Sequence, residues 1–259
     1  MKIFVCVKHV PDSAAKITIT GNNTVDESVT FLMNPYDEHA IEEAARLKKQ
    51  LGQAEIIAVS VGKADAANTI QSALAMGADR GILVTTDSQP DSLVTARALK
   101  AAIAQDGRPD IIFTGKESID SEGLQTMYRL AAAMDMPVAS GVDSLALEQG
   151  RVLVECELEA GAKEVIEMSL PCVIGCGKGL NKPSYPTLPA IIKARKKEVR
   201  QLDLASLNIE LPVGGIEILE LKPAVEERRP QEIRGTPKEI AGAIVRILQE
   251  EAKISIDQE

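Results

Sequence analysis

The chain has 259 residues, of which 45% are hydrophobic and 26% charged, and its formal net charge is -9. That length supports one large or two small domains with a buried core, and the acidic balance argues against a nucleic-acid partner, whose phosphates need a basic surface. With no Trp, three Tyr and three Phe, the core must be built from Ala, Val, Ile, Leu and Met, and few rings remain to stack on a bound base.

The opening MKIFVCVKHV carries charge too early for a signal peptide, and no apolar run approaches a membrane span, so a cytoplasmic protein is expected. Cys6, Cys156, Cys172 and Cys176 are scattered, and with only His9 and His39 beside them they read as free buried thiols. Residues 2–8 make a first strand, apolar enough to be covered on both faces as central parallel strands are. His9 to Ala15 follows as a loop, and Gly21-Asn22-Asn23 marks a hairpin inside KITITGNNTVDESVTFLM. Asn34 is placed to cap a helix over 34–50, with Pro35 in its first turn and Ala40, Ile41, Ala44 and Leu47 as its buried stripe. Acids at Asp37, Glu38, Glu42 and Glu43 precede bases at Arg46, Lys48 and Lys49, which suits the helix dipole and needs no ligand to explain it. His39 inside that helix has no Ser or Cys partner and reads as packed or solvated.

Strands at 54–62, 81–86 and 110–115 alternate with helices at 64–76 and 94–104. This rhythm predicts a right-handed, doubly wound, mostly parallel sheet, with an antiparallel meander over about 142–177. After Gly115 the polar loop KESIDSEG leads to a helix expected to start near Ser121 or Glu122. Ser118, Ser121 and Thr126 offer hydroxyls there, Gln125 an amide, and the helix start unpaired N–H groups, so the loop is either a solvated turn or a phosphate site. Convergence of the strand ends at Val7, Gly62 and Gly115 favours the ligand. No nucleophile with a base, no carboxylate pair and no metal spacing is present, so the chain reads as a binder rather than a catalyst. Pro183, Pro186 and Pro189 stiffen the stretch about 180–197, which carries Tyr185 and Leu188 and then the bases Lys193 to Lys197. It is either an exposed linker or a docking loop with an apolar tip and a basic collar. LELKPAVEERRPQEIRG (219–235) is expected to be extended, and Thr236 to Glu239 to start a capped helix over 237–252 with Ile240, Ile244, Ile247 and Leu248 as its stripe.

From Lys2 to about Leu207 the chain resembles the β subunits of electron transfer flavoproteins. CVKHVPD, MNPYDEHAIEEAARLK, SALAMGADRGI, GKESIDSEGLQT and LNKPSYPTLPAIIKARKK carry the resemblance, in the family's order. It implies a 1–200 α/β domain that binds an adenine nucleotide, usually AMP, and a 201–259 arm whose terminal helix packs on an α subunit carrying FAD. It places nucleotide contacts at Cys6, Asn34, Pro35, Tyr36, Asp37, Val61, Gly115, Ser118, Asp120, Ser121, Glu122, Gly123, Leu124, Gln125 and Thr126. It places dehydrogenase docking at Tyr185, Leu188 and Lys193. The implied role is an electron carrier, linking dehydrogenases such as acyl-CoA dehydrogenases to an acceptor flavoprotein. Two departures stand out: Leu124-Gln125-Thr126-Met127 replaces the usual Asn-Gln-Thr-Gly, and Ser13 replaces an aromatic common near the flavin. VPDS and NPYDEHA look like the subgroup that holds a second FAD on this subunit and bifurcates electrons from NADH, whereas YPTLPAIIKARKK looks like the single-flavin one. A stand-alone nucleotide-binding regulator is the reading from another class.

Overall fold

The structure is a computed structural model that describes residues 1–21, 23–210, 218–224, 232–251 and 253. The chain divides into two units, Met1–Glu220 and Leu221–Glu259. In the first, the strands are β1 (Lys2–Cys6), β2 (His9–Pro11), β3 (Ile19–Thr20), β4 (Thr24–Val25), β5 (Phe31–Met33), β6 (Glu55–Gly62) and β7 (Arg80–Thr85). They continue with β8 (Ile111–Gly115), β9 (Val138–Glu148), β10 (Arg151–Glu157), β11 (Lys163–Ser169), β12 (Cys172–Cys176) and β13 (Val199–Asp203). Helices α1 (Pro35–Leu51), α2 (Ala67–Met76), α3 (Ser92–Asp106), α4 (Thr126–Met134) and α5 (Leu188–Ala194) connect them.

Nine strands form one sheet in the order β11-β10-β9-β12-β8-β1-β6-β7-β13. The run from β12 to β13 is parallel throughout, as the alternating rhythm predicts. β9, β10 and β11 form the antiparallel meander, turning at Gln149-Gly150. β12 leaves it: Cys172 to Cys176 is buried at every position and pairs in parallel with β8 and β9, so it is an interior strand. The hairpin at Gly21 forms as β3 and β4, and β2 pairs with β5 in a second small ribbon where a loop was expected.

Side chains alternate across the sheet to fill a core on each face. Ile3, Val5, Ile111 and Phe113 pack under α1, whose stripe of Ala40, Ile41, Ala44 and Leu47 is fully buried. Phe4, Ile57, Ile82 and Ile112 pack under α3 and α4 on the other face. Full burial of one such Ile or Phe stabilises by roughly 1.5–3 kcal/mol, so the two cores hold the strand ends in place. The second unit contains α6 (Pro237–Glu250), started by the expected capping box: Thr236 Oγ1 accepts from Glu239 N at 3.4 Å and Glu239 Oε2 accepts from Thr236 N at 2.7 Å. None of its residues is buried, Ile244 and Val245 among them. The expected extended stretch at 219–235 lies partly outside the described residues. Among the described residues no helix is long and apolar enough to cross a membrane.

Candidate functional site

The chain runs outward from β1 through β6 to β7, then returns to β8 on the other side of β1. Strand order therefore reverses between β1 and β8, where an open α/β sheet leaves a crevice beyond the carboxyl ends. Asp37 closes the floor of that crevice. It sits in the first turn of α1 and is 5% exposed. Its Oδ2 accepts from Lys8 N at 2.7 Å, just past β1, and its Oδ1 accepts from Gly115 N at 3.0 Å, at the end of β8. Asn34 Nδ2 donates to the same Oδ1 at 3.0 Å. One carboxylate thus sets the spacing of both strand ends. Burial pushes its acid up to about 7, against the pull of these three bonds and the Lys8 charge.

Gly115 is required by this approach: a Cβ there would lie 2.5 Å from Asp37 Oδ1 and 2.6 Å from Tyr36 Cβ. Asn34, expected to cap α1, makes no side-chain cap bond. Its amide instead crosses to the loop after β8, donating to Glu117 O at 2.8 Å and accepting from Ile119 N at 3.2 Å.

The loop then folds back on Lys8. Lys8 Nζ meets both Asp120 carboxylate oxygens at 2.7 Å and Ser118 Oγ at 3.2 Å, and Ser118 and Ser121 share a hydrogen bond of 2.9 Å. Helix α4 begins at Thr126, several residues later than the expected Ser121 or Glu122. Glu122 and Leu124 adopt left-handed backbone (φ 46° and 52°). Alternating handedness of this kind turns successive N–H groups to one side, a concavity suited to anions. Among the described residues the N–H groups of Gly123, Leu124 and Gln125 have no protein acceptor, and space beside Gly123 is open. The positive end of α4 follows directly. Gln125 Oε1 accepts from Ser92 Oγ at 3.3 Å, tying this loop to the start of α3.

Cys6 and Val61 pack on the α3–α4 face of the sheet, and Thr114 points the same way by alternation from Ile112. Among the described residues the buried Thr114 Oγ1 has no hydrogen-bond partner, an orphan polar atom near the carboxyl end of β8. Burial, with Asp37 nearby, pushes the Cys6 thiol far up, so it is a packing group and not a thiolate nucleophile. Open donors, a helix start and an orphan hydroxyl fit the phosphate and polar edges of a nucleotide. Of the residues expected at the crevice, the structure joins Asn34, Tyr36, Asp37, Gly115, Ser118, Asp120 and Ser121 through direct contacts, several of them on Lys8, and places Cys6 at the end of β1 and Val61 near the end of β6. Tyr36 contributes its backbone and Cβ near Gly115, while its ring faces Lys116 and Lys178, whose Nζ atoms lie 5.4 and 4.9 Å from its centroid. Lys8, Thr114 and Ser92 were missed; a lysine and a threonine at strand carboxyl ends were the available signal for the first two.

Tyr185, Leu188 and Lys193 lie away from this constellation, on the segment between β12 and β13. Tyr185 is 95% and Leu188 69% exposed. Thr187 Oγ1 accepts from Ala190 N at 3.4 Å to start α5, and Lys193, Arg195 and Lys196 are exposed. Beyond α5, Lys197 Nζ donates to Leu74 O and Ala78 O at 2.8 and 2.5 Å, satisfying carbonyls at the end of α2. His39, read as packed or solvated, meets Asn181 Oδ1 through Nδ1 at 3.1 Å.

The family model described as "Electron transfer flavoprotein domain" matches residues 22–207. The chain is 35% identical over 256 residues to "Electron transfer flavoprotein subunit beta" of Dictyostelium discoideum, covering 98% of this chain and 99% of that one. The protein of the same description from Sus scrofa is 36% identical over 260 residues, with 98% and 99% covered. "Electron transfer flavoprotein subunit beta, mitochondrial" of Arabidopsis thaliana is 38% identical over 224 residues, with 85% and 88% covered.

Proposed function

Because this chain belongs to the electron transfer flavoprotein family, as a β subunit, we propose that it works in a heterodimer with an α subunit carrying FAD. The pair takes electrons from dehydrogenases, such as acyl-CoA dehydrogenases, and passes them to an acceptor flavoprotein. FAD on the partner subunit supplies the ring that accepts and releases the electrons. This chain supplies two binding surfaces. In the crevice between β1 and β8, the loop from Gly115 to Thr126 donates hydrogen bonds to the phosphate of AMP, with Cys6 and Val61 along its wall. Asp37 holds the two strand ends at the width the nucleotide needs. The segment from Tyr185 to Lys193 meets the dehydrogenase through Leu188, and its basic residues speed encounter with an acidic surface.

The observation that carries the nucleotide assignment is the set of three N–H groups, at Gly123, Leu124 and Gln125, that have no protein acceptor among the described residues at the start of α4. Flavin counting and nucleotide identification on the purified heterodimer test it. One FAD and one AMP per heterodimer are expected. Two FAD, with NADH oxidation, would replace this reading by the bifurcating one. A stable flavin-free monomer that binds ATP would replace it by the regulator.

A further inference from the structure

The exposed segment between β12 and β13 is held at both roots, and its upstream root is built with unusual completeness. Asn181 lies against α1. Its Oδ1 accepts from His39 Nδ1 at 3.1 Å, and its Nδ2 donates to His39 O at 2.9 Å and Glu43 Oε2 at 3.3 Å. The amide has only this orientation, because the flipped one would set its oxygen against a carbonyl and a carboxylate. Glu43 is itself 1% exposed and bound by Arg46 Nε at 3.0 and 3.1 Å. Three residues on, Ser184 N and Oγ donate to the Glu42 carboxylate at 3.0 and 3.3 Å. His39, Glu42 and Glu43 stand three and four positions apart, so they share one helix face. Downstream, Ala194 is buried and Lys197 is bonded to the end of α2. Between these holds lie Tyr185 and Leu188, the two most exposed apolar side chains of the segment.

We propose that Asn181 is a positioning residue for partner docking: clamped to α1 by His39 and Glu43, it fixes where Leu188 is presented to a redox partner. The proposal rests on the docking role given above to Leu188. A tip already held in place loses less freedom when a partner covers it, so the clamp acts on partner affinity and leaves the electron-transfer step unchanged.

The test uses the whole heterodimer with an acyl-CoA dehydrogenase as electron donor, and follows the rate of reduction against dehydrogenase concentration. Asn181→Ala is expected to raise the half-saturating concentration about three- to tenfold, with the limiting rate, flavin content and bound nucleotide unchanged. It is also expected to speed amide hydrogen exchange over 182–191. His39→Ala should behave alike, whereas His39→Asn, whose Nδ2 falls near the place of Nδ1, should restore the starting value. Leu188→Ala, run beside them, should raise half-saturation about tenfold or more. Unchanged exchange in Asn181→Ala would overturn the clamp. Faster exchange with an unchanged half-saturation would overturn its role in docking. If Leu188→Ala itself has no effect, the docking reading fails, whatever Asn181 does.

Discussion

The two ends of the parallel sheet are finished by opposite chemistry. At the amino ends, Arg80 reaches Glu55 Oε1 at 2.7 Å and Asp106 Oδ2 at 2.6 Å, and Lys2 Nζ joins Asp106 at 3.2 Å. Lys2 Nζ also takes Asp106 O at 2.6 Å, so charges meet charges and the end of α3 is closed. The two basic groups hold the Asp106 carboxyl below the usual carboxylate range, Arg80 foremost. At the carboxyl ends, Asp37 is held largely by neutral donors and its acid is raised, and among the described residues Thr114 Oγ1 and three loop N–H groups have no protein partner. A self-satisfied end is built for stability. An end that keeps donors in reserve suits the ligand site proposed above, and among these groups the buried Thr114 hydroxyl is the one that bears a desolvation cost.

Replacing the crevice carboxylate should break this contrast most severely. Asp37→Ala leaves the N–H groups of Lys8 and Gly115 and the Asn34 amide facing an absent acceptor. A loss of roughly 3 kcal/mol or more in unfolding free energy is expected, together with release of the adenine nucleotide. Urea unfolding and nucleotide analysis after gel filtration check both, and a stable variant with full nucleotide would show that Asp37 does not set the crevice.

The pH dependence of the same group is the next largest effect. Between about pH 4 and 7 the unfolded chain has released the Asp37 proton while the folded chain keeps it. The folded state therefore binds more protons, and the Asp37 contribution is greatest below about pH 4 and is lost as pH rises to 7. Asp37→Asn cannot titrate, so wild-type stability should fall relative to it by on the order of 2–4 kcal/mol across that window. Parallel curves for the two proteins would refute the raised acid.

Gln125→Ala with Thr126→Val removes an amide and a hydroxyl at the start of α4 without touching either core. Nucleotide affinity should drop by roughly 1.5–3 kcal/mol per hydrogen bond lost to phosphate, with the melting temperature nearly unchanged. Full retention after gel filtration would misplace the site. Smallest is the change at the other end: Arg80→Met should cost about 1 kcal/mol, since its ion pairs are partly exposed and screened. Nucleotide content should not move, and any loss of it would deny that the two ends are independent.

The parallel rhythm was legible from residue 2 to 115 because each strand is an apolar run closed by a turn, and the stripe Ala40, Ile41, Ala44, Leu47 repeats at helical spacing. What escaped is chemistry that periodicity does not encode. Asn34 and Asp37 match a helix start so well that their side chains seemed explained, yet both spend their hydrogen bonds across the crevice. The late start of α4 depends on left-handed backbone at Glu122 and Leu124, where no glycine marks it. Strand β12 was grouped with the meander because its neighbours in sequence are antiparallel, whereas its burial on both faces assigns it to the interior. The loop hydroxyls and amide at Ser118, Ser121, Gln125 and Thr126 were legible in the residues themselves, and Cys6, Val61 and Asn34 to Asp37 came through a resemblance; that Asp37 ties Lys8, Asn34 and Gly115 together came only from the structure.

Strand β13 has a consequence for how the protein is made. Val199 pairs with Gly81 and Asp203 with Thr85, so the outer side of β7 is paired with residues far later in the chain. During synthesis β1, β6, β7 and β8 can assemble while that side still shows a row of unpaired main-chain groups, a template for pairing with another nascent chain. Closing it requires a long loop and is correspondingly slow. A ribosome stalled before Val199, or a truncation at about residue 195, should yield a protein with most of its core but a sticky flank. The short strand Val199–Asp203, formed late in the chain, thus acts as a safeguard of that flank against aggregation.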